Sequence, residues 1–135
     1  MLCLGSDFGE ERKTVKTLTD LLDETLTITV ESGPPALVEL QVNGLEGSGR
    51  VFLTPATVSQ LMRAIDQAMR ECKTLKEGQS RKFFASQQIS LGAGYERQNI
   101  GANLQVGQGS FYIQPATAPA LMAALQQAIR RCNSL

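Results

Sequence analysis

Val51–Leu75, VFLTPATVSQLMRAIDQAMRECKTL, and Phe111–Leu135, FYIQPATAPALMAALQQAIRRCNSL, decide how this chain is read. Laid over each other without a gap, at an offset of 60, they agree at eleven of twenty-five positions. Chance at ordinary residue frequencies gives roughly two. The match takes in Pro55-Ala56-Thr57 with Pro115-Ala116-Thr117, Leu61-Met62 with Leu121-Met122, and Cys72 with Cys132. A repeat at fixed spacing points to one structural unit used twice.

Each copy contains an amphipathic helix. Val58, Leu61, Met62, Ile65, Met69 and Cys72 form one apolar stripe at helical spacing, and Ala118, Leu121, Met122, Leu125, Ile129 and Cys132 repeat it. Thr57 is the expected N-cap of the first helix, with Gln60 completing a capping box. In the second, Thr117 as N-cap puts Pro119 in the first turn, where its missing N–H costs nothing. Arg130 and Arg131 then complement the helix dipole.

Upstream of each helix the period falls to two. Leu26, Ile28 and Val30 alternate with threonines, Leu37–Val42 forms a second strand, and Gly47-Ser48-Gly49 turns into Arg50–Leu53. The second copy reads as Gln87–Leu91, a turn at Gly92-Ala93-Gly94, Asn99–Val106 and Ser110–Ile113. Arg81–Ala85 could add a first strand there. Its counterpart, 13–22, has Val15, Leu18, Leu21 and Leu22 at helical spacing and reads as a short helix, though its threonines also suit a strand. Lys73–Ser80 is the linker.

The expected fold class is therefore α+β. It is a tandem duplication of a β-β-β(-β)-α unit, with antiparallel sheets and two C-terminal helices packed about a pseudo-twofold axis. Residues 1–75 form the first unit with an N-terminal extension, and 76–135 the second. Neither small unit buries both sheet faces alone, so the two share one compact domain, as in a homodimer fused into one chain.

The strand–Thr-Pro–helix step also resembles a known superfamily. Gly49-Arg50-Val51-Phe52-Leu53-Thr54-Pro55, followed by Leu61 and Ile65, is similar to the single-stranded-DNA-binding transcriptional regulators, which include the Whirly proteins and eukaryotic positive cofactor four. The second copy keeps Gly109, Phe111–Ile113, Pro115, Leu121 and Leu125, but has Gln114 where the first has Thr54. The resemblance covers about a fifth of the chain. It implies β-β-β-β-α units that pair through their helices while the sheets face nucleic acid.

Composition bounds the function. Hydrophobic content of 42% with 19% charged residues describes a globular chain. Net charge is zero, so no global field draws it to nucleic acid or an anionic membrane. That zero hides a split: residues 1–75 balance at −4 and residues 76–135 at +4. No histidine is present, which removes the usual general base and the usual zinc ligand. Ser and Cys nucleophiles lack a motif, the acids Asp20, Asp23 and Glu24 read as a solvated helix face, and the glycine pairs read as turns rather than a P-loop. The expectation is a non-enzyme with no cofactor and no metal.

Cys3, Cys72 and Cys132 are odd in number and have no metal-ligand spacing, as in reduced intracellular thiols. Cys72 and Cys132 end the helix stripes as small apolar residues, or form a redox bridge near the pseudo-axis. No targeting signal and no membrane-length apolar run is read, so the expected location is cytoplasmic.

Two function classes stay open. Single-stranded DNA or RNA binding leads, with Arg50, Arg81, Lys82, Tyr95 and Arg97 as the cationic and stacking residues it needs. Phe83 and Phe84 add flat side chains or serve the core. The alternative is a protein-interaction or assembly module with no ligand of its own, docking a partner on a sheet edge or face. Either acts as a monomer or a homodimer.

Overall fold

The computed structural model describes residues 12–76, 79–86, 88–94 and 101–134. Among the described residues four strands come first: β1 (Arg12–Thr19), β2 (Thr25–Glu31), β3 (Leu37–Asn43) and β4 (Ser48–Leu53). Helix α1 (Pro55–Glu71) follows, closed by a 3-10 turn at Cys72–Thr74. Four more strands, β5 (Ser80–Ala85), β6 (Ile89–Gly94), β7 (Ala102–Val106) and β8 (Gly109–Ile113), lead to α2 (Ala118–Asn133). Each set of four is an antiparallel meander, in the order β1-β2-β3-β4 and β5-β6-β7-β8. The described residues form an α+β fold, with two four-stranded sheets and two α-helices.

Strand β1 corrects the expected helix at 13–22. Val15 and Leu18 are spaced like helix neighbours because a β-bulge between Thr14 and Lys16 inserts one residue and shifts the alternation. Thr14, Thr17 and Thr19 face Thr29, Thr27 and Thr25 across the ladder, where β-branched pairs favour strand. The corresponding bulge in β5 lies between Lys82 and Phe84. It explains how the adjacent Phe83 and Phe84 both pack against the core.

Gly92-Ala93-Gly94 is strand rather than turn. Ala93 is buried opposite Ala102, and Gly92 pairs with Asn103, so the ladder carries the segment despite its low strand propensity.

The helix starts differ from each other for a local reason. Thr54, not Thr57, caps α1: its Oγ1 accepts from the Thr57 N–H at 3.2 Å, and Pro55 follows in the first turn. Gln114 replaces Thr54 before α2 and gives no such cap. There Thr117 is the N-cap as expected, and its hydroxyl donates to the Gln114 carbonyl at 3.1 Å.

Each helix covers the sheet of the other half. α2 packs on β1, β2 and β3, whereas α1 packs on β5, β6 and β7 and reaches β3 and β4. The helices also pack on each other. One hydrophobic cluster results, joining Leu26, Ile28 and Leu40 of the first sheet to Leu91, Leu104 and Ile113 of the second through Leu61, Ile65, Leu121 and Leu125. Each such buried side chain contributes about 1.5–3 kcal/mol. Cys72 and Cys132 are buried free thiols at the ends of the two stripes.

The hairpin ends of the two sheets meet through glycine. A Cβ at Gly49 would overlap the Val106 carbonyl, and one at Gly109 would come within 2.8 Å of the Val42 carbonyl. Val42 is the ladder partner of Gly49, and Val106 that of Gly109.

Candidate interaction cleft at the sheet junction

Asp20 organises the loop between β1 and β2. Its Oδ1 accepts from the N–H groups of Leu22 and Glu24, both at 2.9 Å, in the self-capping habit of aspartate at turns. Its Oδ2 accepts at 2.9 Å from the N–H of Tyr112, on the edge strand β8 of the other sheet. Asp23 takes the left-handed conformation, φ 61°, that closes the turn. With the polar groups satisfied inward, Leu21 and Leu22 are turned out, 61% and 59% exposed. The expected solvated helix face at Asp20, Asp23 and Glu24 is thus a loop, because strand β1 ends at Thr19 and its chain must reverse into β2.

The hairpin between β3 and β4 stands beside this loop. Gly44 N–H donates to the Gly47 carbonyl at 2.8 Å, and Leu45 at the tip is 81% exposed. Together the two loops and the outer side of β7 and β8 enclose a cleft of about 310 Å³. Leu21, Leu22, Glu24, Leu45 and Glu46 line it from one half, and Asn103, Ser110 and Tyr112 from the other. Ser110 Oγ donates to Asn103 Oδ1 at 2.6 Å, which fixes that wall.

Glu24 is the unusual group here, a carboxylic acid only 7% exposed. Burial, the hydrogen bond and charge of Asp20, and the charge of Glu46 push its pKa up to about 7, against the lowering effect of the Leu45 N–H.

The turns after β5 and β7 differ in sequence from those after β1 and β3. Its β5–β6 connection is Ser86–Gln88 and its β7–β8 turn is Gly107-Gln108, tied by the Gly107 N–H to the Gln88 carbonyl at 2.8 Å. Neither turn contains a leucine or a carboxylate.

The residues expected to bind nucleic acid are dispersed. Arg50 stands on the outer face of the first sheet with Nε 2.8 Å from Glu39 Oε2. Arg81 pairs with Glu71 of α1 and lies 5.6 Å from the centroid of Phe83. Lys82 is exposed on the opposite side of β5 from Arg81, since neighbours in a strand alternate. Tyr95 and Arg97 lie outside the described residues. Among the described residues no three acidic, cysteine or histidine side chains come together to hold a metal, and no helix is long and apolar enough to cross a membrane.

Sequence reasoning passed over the cleft. The signal was available: residues 17–49 contain six acids and no lysine or arginine, and Leu45 stands in a glycine-bounded turn where no core needs it. No protein family matches this chain, and no curated protein matches it significantly.

Proposed function

We propose that this chain is two copies of one β-β-β-β-α unit fused as a pseudo-dimer, and that it works as a non-enzymatic module docking another protein at the junction cleft. Support for the duplication comes from the reciprocal approaches, Gly49 to Val106 and Gly109 to Val42, and from the paired bulges at Val15 and Phe83. A contact in which residue i meets j′ while i′ meets j is the signature of twofold packing.

The observation that carries the function is the grouping of Leu21, Leu22 and Leu45 around one cleft. Among the described residues only Phe52 joins them as a large exposed apolar side chain. Single exposed leucines need no explanation, but three rimming one concavity mark a binding surface. In native extracts the protein should elute above its own 14.6 kDa, and Leu22→Ser with Leu45→Ser should return it to that mass. Elution of the unsubstituted protein at the bare monomer mass argues against the proposal.

Single-stranded nucleic acid on the outer sheet faces is the second reading, favoured by the exposure of Lys82 and the half-exposed side chain of Arg50. Labelled oligonucleotides titrated at two salt concentrations test it, since phosphate contacts strengthen at low salt. No binding at low salt ends it.

A further inference from the structure

We infer that the partner segment seated in this cleft is basic and aliphatic, presenting a lysine or arginine between leucine-like side chains; the inference rests on the docking proposal above. Its first ground is shape and polarity. A space of about 310 Å³ walled by Leu21, Leu22 and Leu45 suits the methylene stem of a long side chain better than a compact polar group. Lysine and arginine lay such stems along apolar surface while the charged head reaches a polar partner.

Charge is the second ground. The two loops contribute Asp20, Asp23, Glu24 and Glu46 and no cation. Asp20 is already occupied by three backbone N–H groups, which leaves Glu46, and Glu24 once it ionises above a pH of about 7, as the carboxylates lining the cleft. Lys82 belongs to the same cross-strand row as Asn103 and Tyr112 but stands two strands from Asn103, about 10 Å away at ordinary strand spacing. Among the described residues, an acidic segment or a nucleic-acid strand would therefore meet Glu46, and Glu24 when ionised, at close range, which selects against such partners. The matching turns of the second half lack both leucines and acids, so a single segment is expected per chain.

The test uses the full chain and two fluorescent amphipathic peptides of the same length, one of leucine and lysine, one of leucine and glutamate. Anisotropy should show saturable binding of the leucine–lysine peptide, at least about tenfold tighter than its acidic counterpart. Leu45→Ser, at an exposed hairpin tip where folding is undisturbed, and Glu24→Gln should each weaken it by about tenfold at about pH 8, where Glu24 is ionised. Glu31→Gln, an acid outside the cleft, should leave it unchanged.

Equal binding of the acidic peptide, no binding of the basic one, or indifference to Leu45→Ser overturns the inference. So does self-association of the chain that Leu45→Ser abolishes, which would make a second copy the occupant. Where the purified chain does not self-associate, a Leu45→Ser shift in native extracts still supports docking of another protein, whereas absence of that shift, or self-association that accounts for it, removes the docking proposal itself.

Discussion

Gly49 and Gly109 stand sixty positions apart and do the same work, each leaving out the side chain that would collide with the backbone of the opposite sheet. Glycine inside a strand is otherwise a cost, and close approach of another backbone is one of the few reasons to keep it. Gly49→Ala and Gly109→Ala should each destabilise the fold by about 1–3 kcal/mol through overpacking. Gly92→Ala, whose nearest added contact is an ordinary 3.5 Å, should cost far less. Urea unfolding of the three variants compares them directly.

Asp20 fastens the first sheet's loop to the second sheet's edge. Asp20→Ala removes the acceptor for three backbone N–H groups and should cost about 2–4 kcal/mol. Asp20→Asn retains only one acceptor oxygen. Because the amide nitrogen cannot accept from Tyr112, that variant should recover only part of the loss. Hydrogen exchange at the Tyr112 amide reports the fastening itself.

Glu24 makes stability depend on pH in an unusual direction for a carboxylic acid. Its folded pKa of about 7 lies above the ordinary 4.5, so the folded state binds more protons between those values. The contribution is complete below about 4.5 and is lost as pH rises through about 7. Thermal unfolding from pH 4.5 to 8 should show a decline of up to about 3 kcal/mol that Glu24→Gln removes. A wild-type profile parallel to that of Glu24→Gln contradicts the assignment.

Arg50 and Arg81 look alike in sequence and should differ in stability. The partner of Arg50 is Glu39, whose side chain is 1% exposed, so Arg50→Ala takes one of the interactions from a buried carboxylate and should cost about 1–3 kcal/mol. Arg81 and Glu71 are both reached by solvent, so Arg81→Ala should cost within about 1 kcal/mol. Chemical denaturation of the two variants decides.

Cys72 and Cys132 should be inert in the native protein. Burial raises both thiol pKa values and keeps reagent out. Alkylation should reach them only on unfolding, at rates that follow global opening.

Much of the fold was legible because it is periodic. The matched stripes of α1 and α2 and the alternation of Leu26, Ile28 and Val30 each declare an element on their own. Strand β1 was not legible, since a bulge at Val15 breaks the period on which such reading depends. The N-cap of α1 was misplaced by one turn because two threonines compete there and only packing decides between them. The cleft was hidden for a different reason. Glu24 and Leu45 are far apart in sequence from Asn103 and Ser110, and only the contact between sheets makes them one surface. Arg81 looked free because its partner, Glu71, sits in another element.

The crossed placement of α1 and α2 has a consequence for how this chain can be divided. Cut between Leu75 and Gln79, each fragment would retain its own strands but lose the helix that roofs them. Neither piece is then expected to stand alone in water. Mixed together, the pieces hold what each other lacks, so activity and structure would return only as a stoichiometric pair.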